Sequence, residues 1–242
     1  MLSAPKEQYK EHIKNCLKHW GTISHRFSPP LSRVFNEEEE VVNQSVVRMI
    51  FSHDVGKLTE RWQSAMEGIA KKKSQKPRLP VHSSLGAAYL LEWNKKLGKV
   101  NDLGKASIFA VLIHHVDSGL SGSNLESPDA QIILDGLVHG GDKVLWHADA
   151  DKVLAEICRD TTHIPVERVT LNNLVELSDE MRTWSKCPRM LDQHKHRLMG
   201  SSLHHVLKIC DWRASSEREV EDKEKEEFRS VLKILLDGGV LP

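Results

Sequence analysis

Histidine and carboxylate side chains lie at the ends of apolar segments of this chain, where they could bind metal ions. His53 and Asp54 end one apolar run, and the pair His114 and His115 ends another. Asp211 lies inside a third apolar segment. Burying such groups is costly unless they are hydrogen-bonded, paired or bound to a metal. With 14 histidines in 242 residues, the chain is rich in the side chain that most often binds metals.

Three further positions could belong to the same site. His82 directly precedes a predicted helix, and His12 lies on the apolar face of a helix predicted over residues 6–20. His19 lies near the same face, so either His12 or His19 could be the ligand from this helix. Lys57 follows the His-Asp pair by about one turn and would lie on the same side of a continued helix.

A shared metal centre accounts for these residues as a set, although a single one of them would not require it. One buried histidine or aspartate is more often a hydrogen-bonded core residue than a ligand. Five histidines and two carboxylates spread over five helical segments are instead the donor set of a site for two divalent cations. The pattern therefore indicates a two-metal site with nitrogen and oxygen ligands and open coordination positions.

Helices must position these residues, because helical periodicity dominates the sequence. Alternating β-branched runs joined by tight hairpin turns are missing. We predict an all-α fold with a single domain over residues 1–242, a core at about 6–216 and a C-terminal helix at 217–237. Apolar faces predict helices around 42–51, 85–93 and 108–115. The other predicted elements are helices at 129–139, 143–158, 166–184 and 201–213, a basic loop at 71–80 and a Gly/Ser/Pro loop at 117–128.

The overall charge excludes a globally basic protein held to nucleic acid by bulk charge. Lys and Arg total 34, and Asp and Glu total 34. Residues 48–105 nevertheless hold 12 Lys/Arg against 5 Asp/Glu, and residues 117–180 hold 4 against 13. One interpretation is that these segments form two differently solvated faces. The other is that the basic segment attracts an anionic substrate and the acidic segment forms a docking face.

Several other classes are excluded by missing patterns. No run approaches the roughly 18 apolar residues of a membrane span, and the N-terminus lacks the regions of a signal peptide. The four cysteines are scattered and form no C-x-x-C pair, so we expect a cytoplasmic chain with reduced thiols. Neither a P-loop nor a G-x-G-x-x-G motif occurs, which argues against an ATP-driven motor or a dinucleotide site.

The order of these motifs resembles the HD superfamily of metal-dependent phosphohydrolases, and most closely the HD nuclease of type I CRISPR interference. The resemblance rests on His12, the pair His53-Asp54 with Lys57, His82-Ser83, the pair His114-His115, and Asp211 with Ser215 four residues later. The aromatic-Gln pair Trp62-Gln63 agrees as well. The similarity extends over about residues 9–216.

The resemblance implies a helical bundle with its metal site between the helices. One cation would be held by His12, His53, Asp54 and Asp211, and the second by His82, His114 and His115, with Asp54 bridging. Asp54 and Lys57 would be the catalytic residues. Imidazole ligands suit two Mn²⁺, Fe²⁺, Co²⁺ or Ni²⁺ ions better than Mg²⁺, which stays an alternative.

The same resemblance implies an endo- or exodeoxyribonuclease that cleaves single-stranded DNA, with RNA as an alternative substrate. Because no P-loop is present, we expect a stand-alone form that acts in antiviral defence with a separate helicase subunit and a CRISPR RNA-guided surveillance complex. Candidate contacts to the strand are Arg61, Lys71, Lys72, Lys73, Lys76, Arg78, Ser83 and Ser215.

Two other functions compete with the nuclease. An HD phosphodiesterase or nucleotide phosphohydrolase would act on a small molecule, but a cyclic-dinucleotide enzyme would carry Gly-Tyr-Pro after the His-His pair. Here Val116-Asp117-Ser118 follows that pair. A non-catalytic adaptor subunit could keep the HD fold for docking alone, although retention of all seven candidate ligands argues against it. Metal content would distinguish the adaptor from an enzyme.

Overall fold

The protein is represented by a computed structural model that describes residues 1–5, 7–70, 82–115, 144–157 and 163–217. Some predicted segments lie outside the described residues: the basic loop 71–80, the Gly/Ser/Pro loop 117–128, the helix 129–139 and residues 218–237 of the C-terminal helix. The extent of a single domain over residues 1–242 therefore stays a prediction.

Eight α-helices and one short hairpin make up the described ranges. In chain order they are β1 (Leu2–Ala4), β2 (Glu7–Gln8), α1 (Tyr9–Phe35), α2 (Glu39–Ser52), α3 (Glu60–Ala70), α4 (Ser83–Lys96), α5 (Asp102–Leu112), α6 (Ala150–Ile157), α7 (Leu171–Ser185) and α8 (Met190–Ser216). Two 3-10 helices cover Val55–Leu58 and Val166–Arg168. The predicted all-α class is confirmed. The antiparallel hairpin was not predicted, because strands of 3 and 2 residues are too short for an alternating pattern.

Two helices are longer than the sequence indicated. α1 continues past residue 20 to Phe35, although Pro29 and Pro30 lie inside it. Leu31 and Phe35 are buried, so packing of this part of the helix outweighs the backbone hydrogen bonds that proline removes. α1 ends at Asn36, which adopts the left-handed conformation. α8 likewise begins well before residue 201. None of the helices in the described ranges is both long and apolar enough to cross a membrane.

The core lies between α1, α2, α5 and α8, with α4 packed on α5 and α7. α5 is the central helix: every residue from Ala106 to Leu112 is buried, as expected for a helix that is apolar on all sides. Phe51 of α2 packs edge-on against Trp93 of α4, with ring centroids 5.4 Å apart. Trp93 is therefore a core residue.

Two glycines allow backbone segments to meet where the predicted ligands lie. A Cβ atom on Gly86 of α4 would lie 2.5 Å from the carbonyl oxygen of Ser52 and 2.7 Å from that of His53. A Cβ atom on Gly56 would lie 2.3 Å from the carbonyl oxygen of His82. Only glycine permits these approaches, so both residues bring the start of α4 against the turn that follows α2.

Ion pairs connect the two halves of opposite charge. Lys95 of α4 contacts Glu176 of α7 as well as Glu92, whose Oε1 lies 2.8 Å from the lysine Nζ. The Nζ of Lys105 in α5 lies 3.2 Å from Glu180 Oε2 in α7. Part of the charge asymmetry in the sequence is thus neutralised by partly exposed ion pairs where α4 and α5 meet α7.

Candidate metal centre

Five chain segments bring all seven predicted ligands to one place in the bundle. These are α1 with His12, the turn after α2 with His53 and Asp54, the residue before α4 with His82, the turn after α5 with His114 and His115, and α8 with Asp211. Their candidate ligand atoms form two groups, and within each group the atoms lie within 4.8 Å of one another. One group contains His12, Cys16, His53 and Asp211, and the other contains Asp54, His82, His114 and His115.

The carboxylate of Asp54 lies between the two groups. Its Oδ2 atom is 3.3 Å from His12 Nε2 and 3.5 Å from His53 Nε2. Its Oδ1 atom is 3.0 Å from His82 Nε2 and 3.8 Å from His114 Nε2. Each oxygen therefore faces a different set of imidazoles, which is the arrangement that a carboxylate shared by two cations requires.

His12 rather than His19 faces this carboxylate. The Nε2 atom of His12 is also 3.2 Å from Asp211 Oδ1, and its Nδ1 atom is 3.3 Å from Glu7 Oε1. His19 instead pairs with Glu217, 3.1 Å from Nε2 to Oε1. Of the two candidate ligands on α1, the geometry favours His12.

His53 and His114 are held so that a free nitrogen lone pair points into the site. The Nδ1 atom of His53 lies 2.5 Å from the carbonyl oxygen of Ile50, and that of His114 lies 2.5 Å from the carbonyl oxygen of Val111. A carbonyl only accepts, so each Nδ1 carries the proton and each Nε2 does not. Within the described parts of the chain, neither buried Nε2 atom has a hydrogen-bond partner.

These lone pairs face oxygen atoms of Asp54, so acceptor faces acceptor across a buried space. That arrangement is unfavourable unless a cation lies between the two atoms. Metal-bound histidines usually donate their second nitrogen to a carbonyl or carboxylate, as His53 and His114 do. The residues present therefore fit divalent cations.

His82 and His115 complete the second group. Their Nε2 atoms lie 2.7 Å apart and their rings meet edge to face, with centroids 4.4 Å apart. His82 is buried, whereas His115 is exposed. The second group thus has one exposed ligand, whereas the first group has three buried members and the half-buried Asp211.

Comparison with known proteins assigns the chain to a family. The sequence model of the family described as "Cas3, HD domain" matches residues 11–220. The chain belongs to the Cas3 HD domain family. It is a CRISPR-associated HD protein, and the family indicates a metal-dependent hydrolase.

The fold is similar to that of the CRISPR-associated Cas3 HD domain protein from Methanocaldococcus jannaschii. The TM-score is 0.62 at 18% sequence identity, and the match covers 85% of this chain and 98% of that one. At this identity the likeness shows the fold alone. No sequence among the curated proteins matches this Cas3 HD domain significantly.

Burial and charge set the protonation of the ligands in this Cas3 HD domain. Burial lowers the pKa of His53 and of His82 to about 4, although Asp54 acts in the opposite direction on both. The pKa of His115 is lowered as well, because its ring packs against those of His82 and His114 and loses contact with water there. These imidazoles are therefore neutral at pH 7, which is the form that binds metals.

His12 differs from the other imidazoles. Burial alone would lower its pKa, but its hydrogen bonds to Asp211 and Asp54 outweigh burial and raise it. Burial opposes the charged form of both aspartates, yet the histidines, together with Lys57 at Asp54, hold the two carboxyl pKa values below their usual range. In the metal-free protein, a proton on His12 thus occupies the place that suits a cation.

The side chain of Lys57 forms an ion pair with Asp54 and does not extend between the two groups of ligands. Its Nζ atom donates to Asp54 Oδ2 at 2.6 Å and lies 5.4 Å from the ring centroid of Trp62. Lys57 belongs to the 3-10 helix rather than to a continuation of α2, and its side chain still reaches Asp54. Its positive charge stabilises the buried carboxylate.

The remaining predicted substrate contacts take different positions. Ser83 is buried at the first residue of α4, and Ser215 lies 3.5 Å from Asp211, measured from Oγ to Oδ1. Arg61 is exposed on α3. The basic residues Lys71, Lys72, Lys73, Lys76 and Arg78 lie outside the described residues.

Three residues contact the ligands without having been singled out as site residues. Cys16 lies one turn after His12 on α1, so the spacing of four residues was a usable signal. The ring of Trp62 packs edge-on against His82, with centroids 4.7 Å apart. Glu7 lies in β2, directly before α1 and five residues before His12, and no helical pattern in the sequence indicated that contact.

Proposed function

We propose that this Cas3 HD domain is a nuclease that hydrolyses phosphodiester bonds of single-stranded DNA in CRISPR interference, using two divalent transition metal ions. One observation carries the proposal: two pairs of buried imidazole nitrogen atoms lie on either side of the Asp54 carboxylate, one pair at each oxygen. Two-metal sites of this kind serve phosphodiester hydrolysis.

The geometry supports a division of the ligands between two sites. His12, His53 and Asp211 would hold one cation, while His82, His114 and His115 would hold the other, and Asp54 would contact both. When bound, such cations supply a nucleophilic water at neutral pH and stabilise negative charge on phosphate oxygens. The imidazole-rich donor set suits Mn²⁺, Fe²⁺, Co²⁺ or Ni²⁺ better than Mg²⁺.

The chain's own residues would fix the ligands and balance charge. The carbonyl oxygens of Ile50 and Val111 orient His53 and His114, so these rings need no rearrangement to bind. Lys57 adds a positive charge beside Asp54, where it would offset charge that develops on phosphoryl oxygens during hydrolysis. Asp54 and Lys57 are accordingly the proposed catalytic residues.

Substrate and partners follow from the family and the sequence. The basic residues at 71–78 and Arg61 would contact the phosphate backbone, and such contacts make binding salt-dependent. Ser83 and Ser215 would assist at the centre itself. The proposed partners are a separate helicase subunit and an RNA-guided surveillance complex, in the cytoplasm.

A panel of substrates with defined metals tests this function. Purified protein, stripped of metal, is supplied with Mn²⁺, Co²⁺, Ni²⁺ or Mg²⁺ and offered single-stranded DNA, duplex DNA, RNA, nucleotides and cyclic dinucleotides. We expect cleavage of single-stranded DNA with a transition metal. Replacing the shared carboxylate in Asp54→Asn should reduce the rate by at least about 100-fold.

The exposed Asp149 provides a matched control, because Asp149→Asn makes the same chemical change away from the centre. Its rate should equal that of the unaltered protein. Preference for a cyclic dinucleotide or nucleotide over every polymer would overturn the nuclease proposal in favour of a small-molecule phosphodiesterase. Absence of bound metal and of all hydrolysis would favour an adaptor.

A further inference from the structure

Cys16 lies among the ligands of the first cation, and the proposed function gives it no role. It is fully buried on α1, one turn after His12, and its Sγ atom is 3.7 Å from His12 Nε2. The sulfur also lies within 4.8 Å of the candidate ligand atoms of His53 and Asp211. Four different side chains therefore direct a donor atom at one small volume.

The separations between these atoms match those of a metal's ligands. With metal–nitrogen and metal–oxygen bonds of about 2.0–2.1 Å and a metal–sulfur bond of about 2.3 Å, neighbouring ligand atoms of a five-coordinate cation lie about 2.9–3.8 Å apart. The distances here are 3.2 Å from His12 to Asp211 and 3.7 Å from His12 to the sulfur.

A second, independent observation points to a cation at the same place. The Nε2 atom of His53 is fully buried, belongs to the same group of atoms, and has no hydrogen-bond partner within the described ranges. Its proton lies on Nδ1, so a lone pair faces the group. If Cys16 were only a packed thiol with no cation nearby, the lone pair of His53 would stay unsatisfied. A cation would bind both that lone pair and the sulfur of Cys16.

We propose that Cys16 is a thiolate ligand of the cation held by His12, His53 and Asp211. The proposal rests on the proposed metal centre and adds to it a ligand of a different kind. The thiol proton and the proton that His12 carries in the metal-free protein both pass to solvent when the cation binds. Because thiolate is a soft ligand, this site would favour Co²⁺, Fe²⁺ or Zn²⁺ over Mn²⁺ and Mg²⁺.

The second group has no sulfur atom among its described members, Asp54, His82, His114 and His115. Its nitrogen and oxygen ligands do not select against Mn²⁺ in the same way. The two sites would thus differ in the metal they prefer, although they share one carboxylate.

Cobalt spectroscopy tests the role of Cys16 without measuring activity. The metal-free protein is titrated with Co²⁺ and its absorption spectrum is recorded. The unaltered protein should show a near-ultraviolet thiolate-to-cobalt charge-transfer band. Cys16→Ser should lose that band and keep the visible cobalt bands, with Co²⁺ bound about tenfold more weakly and Mn²⁺ affinity nearly unchanged. Cys187→Ser, a half-buried cysteine outside the centre, should behave as the unaltered protein does.

Two results would overturn the assignment of Cys16 and leave the metal centre intact. They are visible cobalt bands without a charge-transfer band in the unaltered protein, or an unchanged charge-transfer band in Cys16→Ser. Failure of the unaltered protein to bind Co²⁺ at all would overturn the metal centre itself, and Cys16 with it.

X-ray absorption on the unaltered cobalt-loaded protein needs no variant, so it answers the same question if Cys16→Ser does not fold. A sulfur neighbour at about 2.3 Å from the metal is expected. A shell of nitrogen and oxygen alone would overturn the proposal.

Discussion

The histidines of the centre differ in what holds their second nitrogen. Backbone carbonyl oxygens hold His53 and His114, whereas the carboxylate of Glu7 lies beside Nδ1 of His12. Glu7 is buried and accepts a hydrogen bond from Ser3 at 2.5 Å. A carboxylate in this position orients the ring and makes it a stronger ligand. Glu7 is thus a positioning residue for His12.

Replacing this carboxylate should weaken metal binding without touching a ligand. We expect Glu7→Ala to reduce the affinity for Co²⁺ by about 10- to 100-fold, because His12 loses its orienting partner. Isothermal titration calorimetry measures the change. The control is Glu11→Ala on the exposed side of α1, which should bind as the unaltered protein does. Equal affinities for Glu7→Ala and Glu11→Ala would contradict this role of Glu7.

Protonation of individual histidines makes the stability of the metal-free protein depend on pH. An unfolded histidine has a pKa of about 6.5, whereas burial lowers the pKa of His53 and His82 to about 4. Their contribution to stability is complete above pH 6.5 and is lost as the pH falls towards 4, because the unfolded chain then binds more protons. His12 has a raised pKa, so its contribution is complete below pH 6.5 and decreases as the pH rises.

These opposite trends place the maximum free energy of unfolding near pH 6.5 when metal is absent. Urea unfolding from pH 4 to 8 in the presence of a chelator measures it. His53→Gln should reduce the slope on the acid side. A free energy of unfolding that rises steadily from pH 4 to 8 would contradict the pKa shifts.

At the level of elements, the close contact between α4 and the turn after α2 holds His53 near His82. Gly86 allows α4 to lie against the carbonyl oxygens of Ser52 and His53. Any side chain there would move α4 away from the turn. The spacing between ligands from different elements thus depends on a residue that binds nothing.

Gly86→Ala should therefore lower both stability and metal affinity. We expect a loss of about 1–3 kcal/mol in the free energy of unfolding, because the added methyl group overlaps backbone atoms. Gly21 lies in α1 with nothing within 4 Å of an added Cβ, so Gly21→Ala is the matched control and should be neutral or stabilising. Urea unfolding and cobalt titration measure both variants. Equal behaviour of the two would contradict the close contact.

Sequence patterns predicted the helices better than their ends or their contacts. Periodicity identified α2, α4 and α5, because each has a regular apolar face or a continuous apolar run. It missed the second half of α1, where Pro29 and Pro30 indicate a helix end and only tertiary packing keeps the helix going. The contact between His82 and His115 depends on how α4 packs against α5, which no local pattern contains.

At the level of the whole molecule, binding and folding are coupled, because the ligands come from segments far apart in the sequence. Cations that bind the folded chain alone stabilise it by about 2.7 kcal/mol at a free concentration of 100 times the dissociation constant. We expect Co²⁺ to raise the melting temperature of the unaltered protein. Asp54→Asn should show little change on adding metal, and Asp149→Asn should respond fully. An equal rise for Asp54→Asn would contradict a centre that depends on Asp54.

The order of the ligands along the chain has a consequence during synthesis. Asp211 in α8 is the last of the seven to leave the ribosome, after every other ligand has been made. A nascent chain that lacks α8 has neither Asp211 nor the helix that packs on α1 and α5. It cannot complete the first site, so the proposed hydrolytic activity requires that α8 has been made and has packed on α1 and α5. The synthesis of α8 thus determines the earliest time at which the activity can appear.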